Sequence, residues 1–461
     1  MPIHSRLPRR VCFSSLVMAA TCAALSAATW ELLWAADPPQ KTRRQKVLED
    51  RERALAEDFW IYNDLPRAFA EARRSGKPLL VVLRCLPCEE CVKLDDELVD
   101  RDPTLRPLLA QFVCARVVGT NGLDLATFQY DTDQSFAVFM LHGDGTIYGR
   151  FGTRSHRTEW LGDVSLPGLA QALTGALALH ADYPANRASL AAKRGAPPLF
   201  ASPELFPSLK DKFTAQLDYD GAVEQSCIHC HQIGDAQRDY YRQRREPLPE
   251  SVLYPYPHPK TLGLVFDPDQ MATLSSVAPG SWGAEAGFQT GDRWLRMAGQ
   301  PLVSIADIQW VLQQTPAAGG TIAVDVERSG QRQTINLALP AHWRRQGDLS
   351  WRASSWTLRR MTTGGLVLEP ATPEQRQAAG IADGNMALRV QYMGEYGEHG
   401  AGKRAGFQVD DLLVEIDGRT DLHRESDLFA YGMRERQAGD TLDVGVRRGA
   451  EQLRLVLPMQ P

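Results

Sequence analysis

The sequence predicts a multidomain chain of α/β and α+β modules: an α/β sandwich, then a short helical segment around a Cys-x-x-Cys-His motif, then two β-rich copies of one unit. Three observations predict it. At 461 residues the chain exceeds what one hydrophobic core sustains, since domains commonly hold about 100 to 150 residues. Strand-like and helix-like patterns alternate between residues 59 and 180. A block beginning at Ala286 returns at Ala405. With 43% hydrophobic residues, 23% charged and a formal charge of -5, the composition is that of an ordinary globular protein and favours neither a nucleic-acid partner nor a disordered chain.

Residues 1–36 stand apart. Arg6, Arg9 and Arg10 precede an apolar run over 11–28, and small residues follow at Ala35 and Ala36. That order is a secretory signal peptide and predicts export to the periplasm or cell envelope. The alternative is an uncleaved membrane anchor, because Trp30, Leu32, Leu33 and Trp34 lengthen the apolar stretch, although Glu31 interrupts it. Cleavage near Ala36 leaves Cys85, Cys88, Cys91, Cys114, Cys227 and Cys230. Five of these fall into two tight clusters, the pattern of a redox, metal or haem site rather than of a scattered disulfide framework.

Residues 37–58 are charged and predict a partly helical spacer. The α/β sandwich is expected over 59–180. Leu65, Ala68, Phe69 and Ala72 recur at helical spacing, Gly76-Lys77-Pro78 ends that helix, and the unbroken apolar run 79–83 predicts a strand buried on both faces. Strands follow at 112–118 and 136–141, a turn at Gly143-Asp144-Gly145 leads to a strand over 147–151, and a final helix covers 169–179. Residues 181–210, with Pro184, Pro197, Pro198, Pro203 and Pro207, predict an Ala/Pro-rich linker. Residues 211–259 form the Cys-x-x-Cys-His segment and end in a stiff alternating-proline stretch.

The repeat occupies 260–341 and 363–461, joined by a linker over 342–362. Ala286-Gly287-Phe288-Gln289-Thr290-Gly291-Asp292 returns as Ala405-Gly406-Phe407-Gln408-Val409-Asp410-Asp411, Gly299 as Gly418, and Gly330 as Gly449, at an offset of 119. Together with Gly263-Leu264-Val265-Phe266 and its counterpart Gly365-Leu366-Val367-Leu368, these motifs resemble the PDZ domains of bacterial envelope proteases. The resemblance implies that an extended peptide adds as a strand, its terminal carboxylate taken by backbone N–H groups at Leu264, Val265 and Phe266. It implies protein C-termini or extended peptides as partners. Neither a Gly-x-Ser-x-Gly elbow nor a His-Glu-x-x-His helix accompanies them.

Cys85, Cys88 and Cys91 stand where a buried strand gives way to a helix, a position whose backbone N–H groups favour thiolate. Two Cys-x-x-Cys pairs overlap, and spacing alone does not choose between them. A fixed disulfide and a three-cysteine metal site stay open. Residues 59–180 resemble thioredoxin-like domains through the Trp and helix, Gly-Lys-Pro, the apolar strand, the cysteine pair and the Lys93-Leu94-Asp95 helix. The resemblance implies that Cys88 attacks and Cys91 resolves, with Cys85 an additional thiol. Three departures stand out: no proline in Ser135-Phe136-Ala137-Val138, Val82 in place of a buried acid, and Glu89 and Glu90 between the cysteines, which raise their pKa values.

Cys227-Ile228-His229-Cys230-His231 has the spacing that holds a covalent c-type haem. Two thiols one helical turn apart reach the vinyl groups, and the adjacent His231 ligates the iron. His258 or Met271 is the expected sixth ligand. A structural disulfide, or a zinc site with His229, stays open, and no nucleotide cofactor is expected. The order of modules resembles a bacterial family of thioredoxin-like, PDZ-containing (seleno)proteins, some of which are understood to carry selenocysteine at a redox position. The expected function is an envelope redox protein, a thiol-disulfide oxidoreductase exchanging with envelope redox partners. The alternative is a non-catalytic adaptor whose cysteines are structural.

Overall fold

Alternation along one fully buried strand organises the first module. The computed structural model describes residues 41–56, 59–84, 102–134, 136–153 and 164–461. Strands β1 (Trp60–Tyr62), β2 (Leu79–Arg84), β3 (Val113–Val117), β4 (Phe136–Leu141) and β5 (Ile147–Thr153) form a sheet of order β1-β3-β2-β4-β5. β1, β3 and β2 run parallel, and β4 and β5 are antiparallel. Leu79, Val81 and Leu83 face Ala68 and Ala72 of α2 (Leu65–Ser75). Leu80 and Val82 face the other way, onto Leu105 and Leu109 of α3 (Leu105–Leu109) and Leu169 and Leu173 of α4 (Leu166–Ala181). Both faces are covered, as an unbroken apolar run requires. Asp64 caps the start of α2, and Gly76, at φ 69°, ends it with its N–H on Ala72 O.

Two stretches without a strong apolar period are folded parts of this module. The charged stretch 37–58 contributes α1 (Arg43–Ala56), which buries Val47, Asp50 and Ala54. Asp50 Oδ1 accepts from Arg84 Nη2 at 2.5 Å and Asp50 Oδ2 from Tyr62 Oη at 3.1 Å. The Ala/Pro-rich stretch 181–210 is packed chain: Phe206 and Leu209 enter the core beside Val81 and Phe139. The same core takes Ile228, Cys230, Ile233 and Ala236, so α5 (Cys230–Gln243) helps close one face of the sheet.

The two repeated units share one plan. In the first, β6 (Leu264–Phe266) pairs with β7 (Leu274–Val277), while β8 (Arg293–Met297), β9 (Gln300–Pro301), β10 (Gly320–Arg328) and β11 (Gln331–Leu339) form a sheet of order β11-β10-β8-β9 beside α6 (Ile305–Gln314). In the second, β12 (Leu366–Pro370), β13 (Leu388–Met393), β14 (Leu412–Ile416), β15 (Thr441–Arg448) and β16 (Glu451–Pro458) form one five-stranded sheet. α7 (Ser355–Thr363) precedes β12, and α8 (Glu425–Glu435) is the counterpart of α6. One ion pair recurs. Arg328 Nε and Nη2 donate to the Asp292 carboxylate at 2.6 and 2.7 Å, and Arg448 donates likewise to Asp411 at 2.7 and 2.7 Å. A second Nη2 bond reaches Gly287 O in one copy and Gly406 O in the other. The aspartates are 119 positions apart and the arginines 120, a one-residue slip that the matched glycines, 119 apart, do not show.

Buried charges bolt the modules together. Lys193 Nζ meets Asp307 Oδ1 at 2.9 Å with both side chains about 1% exposed. Asp307 also accepts from the N–H groups of Arg150 and Val303, seating the start of α6 on the edge strand β5. The approach is close enough that a Cβ on Gly149 would lie 2.1 Å from Val303. From the connecting stretch, Arg344 closes the end of α6 by donating to the carbonyls of Leu312, Gln313 and Thr315. Arg352 Nη1 donates to Asp131 at 2.9 Å and Asp133 at 2.8 Å on the α/β module.

Lys193→Met leaves Asp307 charged and buried, and is expected to cost about 3 to 5 kcal/mol, read as a lower midpoint of the first urea-unfolding transition. For Asp133, burial raises the pKa, but Arg352, Arg238 and the Ser354 N–H outweigh it and hold the carboxyl below its ordinary value. Its stabilising contribution is therefore complete above the ordinary carboxylate range and lost as the pH falls through about 4 and below. Unfolding midpoints measured against pH are expected to drop more steeply in acid for the parent chain than for Asp133→Asn.

Candidate functional site

Cys85, Cys88 and Cys91 lie outside the described residues. Their approach is described. β2 ends at Arg84, at the carboxyl end of the parallel strands, and the buried pair with Asp50 holds that end. Burial, reinforced by Asp50, keeps the Tyr62 phenol protonated well above its usual range, so it serves there as a hydrogen-bond donor.

The second cysteine pair, just before and at the start of α5, packs against the loop that follows β3. Asn121 holds it from both sides: its Nδ2 donates to Thr214 O at 2.7 Å and Ser226 O at 2.9 Å, and its Oδ1 accepts from Ile228 N at 2.8 Å. Thr120 donates from both N–H and hydroxyl to Ile228 O. Ile228, fully buried, is thereby pinned between its two cysteines. Cys227 Sγ lies 3.6 Å from Val118 O, and the Tyr130 hydroxyl donates to Cys230 Sγ at 3.0 Å. Burial, with Cys230 as a second cause, pushes the Cys227 thiol up to about 12, and burial pushes Cys230 up to about 11. These sulfurs are protonated at neutral pH despite standing at the start of α5.

His231 turns the other way. Its side chain is 44% exposed and faces Asp235 Oδ2 at 3.4 Å, and its ring stacks on His229 at 5.9 Å. Burial, then the neighbouring His231 and Arg43, lowers His229 to about 4. A thioether-linked haem needs both sulfurs at the porphyrin edge with the imidazole under the iron. Here the sulfurs are packed against the α/β module and the imidazole faces outward, an arrangement that does not fit the group. Met271 packs in the core on the opposite face of the sheet, beside α4. His258 lines a cavity of about 300 Å³ between the proline segment and the 344–352 stretch. Met271 is thus across the sheet from the cysteine motif, and His231 is not among the residues that line the His258 cavity. Among the described residues no group of three or more His, Cys, Asp or Glu is placed to hold a metal ion.

Cys114, inside β3, is a core residue whose thiol burial pushes up to about 12. Tyr130, Thr120 and Asn121 escaped the sequence reading. Only the fold brings them to the motif, about a hundred positions away.

Leu264, Val265 and Phe266 form β6, whose hydrogen-bonding pattern can be followed residue by residue. Gly263 O accepts from Ala278 N, and Asp267 N donates to Thr273 O, so these groups face β7. Leu274, opposite Phe266, turns its own N–H and C=O to Asp292 and Gly291. Leu264 and Phe266 therefore direct their backbone groups to the outer edge, where no partner takes them among the described residues. That edge can accept one more strand.

No helix among the described residues is long and apolar enough to cross a membrane. A probable periplasmic serine endoprotease DegP-like of Pseudomonas fluorescens is 25% identical over 148 residues, which is 32% of this chain and 29% of that relative. The chain thus spans less than a third of the curated relative's length. Two solved chains of the HtrA-type protease AlgW with a decapeptide, one a variant, are similar at 15% and 18% identity with TM-scores of 0.21 and 0.19. They cover 41% and 30% of this chain, which spans 54% and 41% of them. Residues 60–143 match the family model described as Thioredoxin-like, and the chain contains a thioredoxin-like domain there.

Proposed function

We propose that this chain is a cell-envelope thiol–disulfide redox protein whose first PDZ-type unit holds an extended peptide from a partner. The observation that carries the reading is the thioredoxin-like domain itself: a mixed sheet whose central strand β2 ends one residue before Cys85. In that position the Cys88 thiolate attacks a partner disulfide, forming one S–S bond and expelling one partner thiolate. Cys91 then attacks the mixed disulfide, the second partner thiolate leaves, and Cys88–Cys91 is oxidised as the partner gains two electrons. Export rests on the arginine-led apolar segment 1–36 and on likeness to a relative named as periplasmic.

Haem at Cys227, Cys230 and His231 is a separate proposal. It needs this segment held away from the sheet, since the docked thiols are enclosed; a pyridine haemochrome spectrum after maturation with haem-attachment machinery decides it. The adaptor reading is favoured by one observation, the enclosure and raised pKa of both described thiols of the motif.

In a redox titration with thiol trapping, Cys88 and Cys91 are expected to shift together between alkylated and protected forms, and a pair locked in one state at every potential would sink the redox reading. Under native conditions Cys114, Cys227 and Cys230 are expected to alkylate far more slowly than after unfolding. For the peptide site, a Cβ on Gly263, at φ 74°, would lie 2.2 Å from Ser281 Cβ. Gly263→Ala is expected to weaken binding of a fluorescein-labelled decapeptide with an apolar C-terminus by at least about tenfold in anisotropy, with the β10–β11 amides unchanged in hydrogen exchange.

A further inference from the structure

The five strands of the second unit correspond to β6, β7, β8, β10 and β11 of the first, which allows the two clefts to be compared within one chain. Gly365 O accepts from Gly394 N as Gly263 O accepts from Ala278 N. The register slips between Val367 and Leu368 as it does between Val265 and Phe266. Val390, opposite Leu368, turns to Asp410 and Asp411 as Leu274 turns to Gly291 and Asp292. Leu366 and Leu368 are thus the counterparts of Leu264 and Phe266, and their backbone groups also point to the outer edge of the strand.

In the second unit that edge is taken. Leu368 N donates to Glu425 Oε1 at 2.9 Å, and Leu366 O accepts from the Thr363 hydroxyl at 2.7 Å. Gly365 N, the start of the glycine-hydrophobic loop, donates to Arg359 O, just as Gly263 N donates to Lys260 O in the first unit, so the difference between the clefts lies in the bonds to Leu366 and Leu368. Arg359 in turn grips Glu425 through Nε at 2.9 Å and Nη2 at 2.6 Å, the glutamate side chain being 2% exposed. Thr363 and Arg359 belong to α7, and Glu425 opens α8. The outward face of α8 is covered as well: Phe429 and Met433 pack with Leu358 and Met361 of α7 and with Leu248 and Leu253 from the Cys-x-x-Cys-His segment. The first unit has Ile305 where the second has Glu425, each the first residue of its helix. Isoleucine has no acceptor to offer, and among the described residues no group takes the Phe266 N–H.

We propose that the second unit is occupied from within: α7 and Glu425 act as an intramolecular strap over the cleft, leaving one peptide cleft per chain, that of the first unit. The stoichiometry rests on the peptide reading above, whereas the strap rests on these bonds alone. Its role is to hold the second unit against the cysteine-bearing segment, so that the module stabilises the redox half rather than recruiting a second partner. The strap also makes the second cleft conditional, since a partner reaching β12 must first displace a buried, doubly bonded carboxylate.

Residue-resolved hydrogen exchange on the full mature chain tests the strap directly. The Leu368 amide is expected to exchange at least about tenfold more slowly than Phe266. Thr363→Val and the double variant Arg359→Met/Glu425→Ile, which leaves no unpaired charge, are expected to loosen α7. Faster Leu368 exchange in either variant, with β2 amides unchanged, supports the strap. Leu368 exchanging as fast as Phe266 in the parent chain, or no change in Leu368 in both variants, overturns it. Titration of the parent chain with the labelled decapeptide is expected to saturate at one equivalent; two equivalents overturn the strap. If the peptide does not bind at all, the reading of the first unit falls, while exchange at Leu368 still decides for or against the strap.

Discussion

One face of the α/β sheet is completed by chain that arrives late. Leu79, Val81 and Leu83 offer an apolar surface wider than α2 covers, and Phe206, Ile228, Ile233 and Ala236 fill the remainder. Each fully buried aliphatic side chain contributes roughly 1.5 to 3 kcal/mol relative to exposure, so the docking of α5 is part of what makes the sheet stable. The cost falls on the cysteines. Because Ile228 must be buried, its neighbours Cys227 and Cys230 are carried against the protein, where desolvation disfavours thiolate more strongly than the helix start favours it. The motif whose spacing suggests haem-linked sulfur in the sequence carries buried, protonated sulfur in the folded chain.

Arginines supply the connections between modules, and each solves a different problem. Arg344 donates to three carbonyls at the end of α6, taking the place of a further helical turn. Arg352 neutralises two aspartates that would otherwise face each other in a buried site. Arg359 neutralises Glu425 so that a carboxylate can sit inside a cleft. All three come from the tryptophan-rich stretch and the helix after it, which sequence pattern reduces to a linker. Buried pairs of this kind add little net stability over apolar packing, yet breaking one is costly. They fix orientation, holding each unit at one angle to the sheet.

The sandwich was legible because its signals are local: an apolar run, a Gly-Lys-Pro break and a hairpin turn lie within a few residues of the elements they define. The repeat was legible from its glycines and aspartates. β1 was not, being three residues long and too short for any period to register. α1 was read as a spacer because its buried face includes Asp50, whose partner Arg84 lies 34 positions away. The Cys-x-x-Cys-His motif was fully visible, but not its surroundings: Tyr130, Asn121 and Thr120 reach it only through the fold. A motif states which chemistry its residues permit, while access and protonation are set by neighbours that carry no mark in the sequence.

The repeated units show how a duplicated scaffold can keep its frame and lose its vacancy. The buried Asp–Arg clasp and the strand bulge survive in both copies, because each fixes the backbone around the cleft and any loss would disturb the whole unit. The first residue of the cleft helix is under no such constraint: Ile305 and Glu425 occupy equivalent positions with opposite chemistry. A carboxylate there is unfavourable alone, since burial raises its pKa despite the opposing guanidinium of Arg359. It becomes tolerable only once Arg359 and the Leu368 N–H share its charge. Both partners are supplied by the strap and the strand it covers, so the glutamate and α7 stabilise one another and neither is well placed without the other.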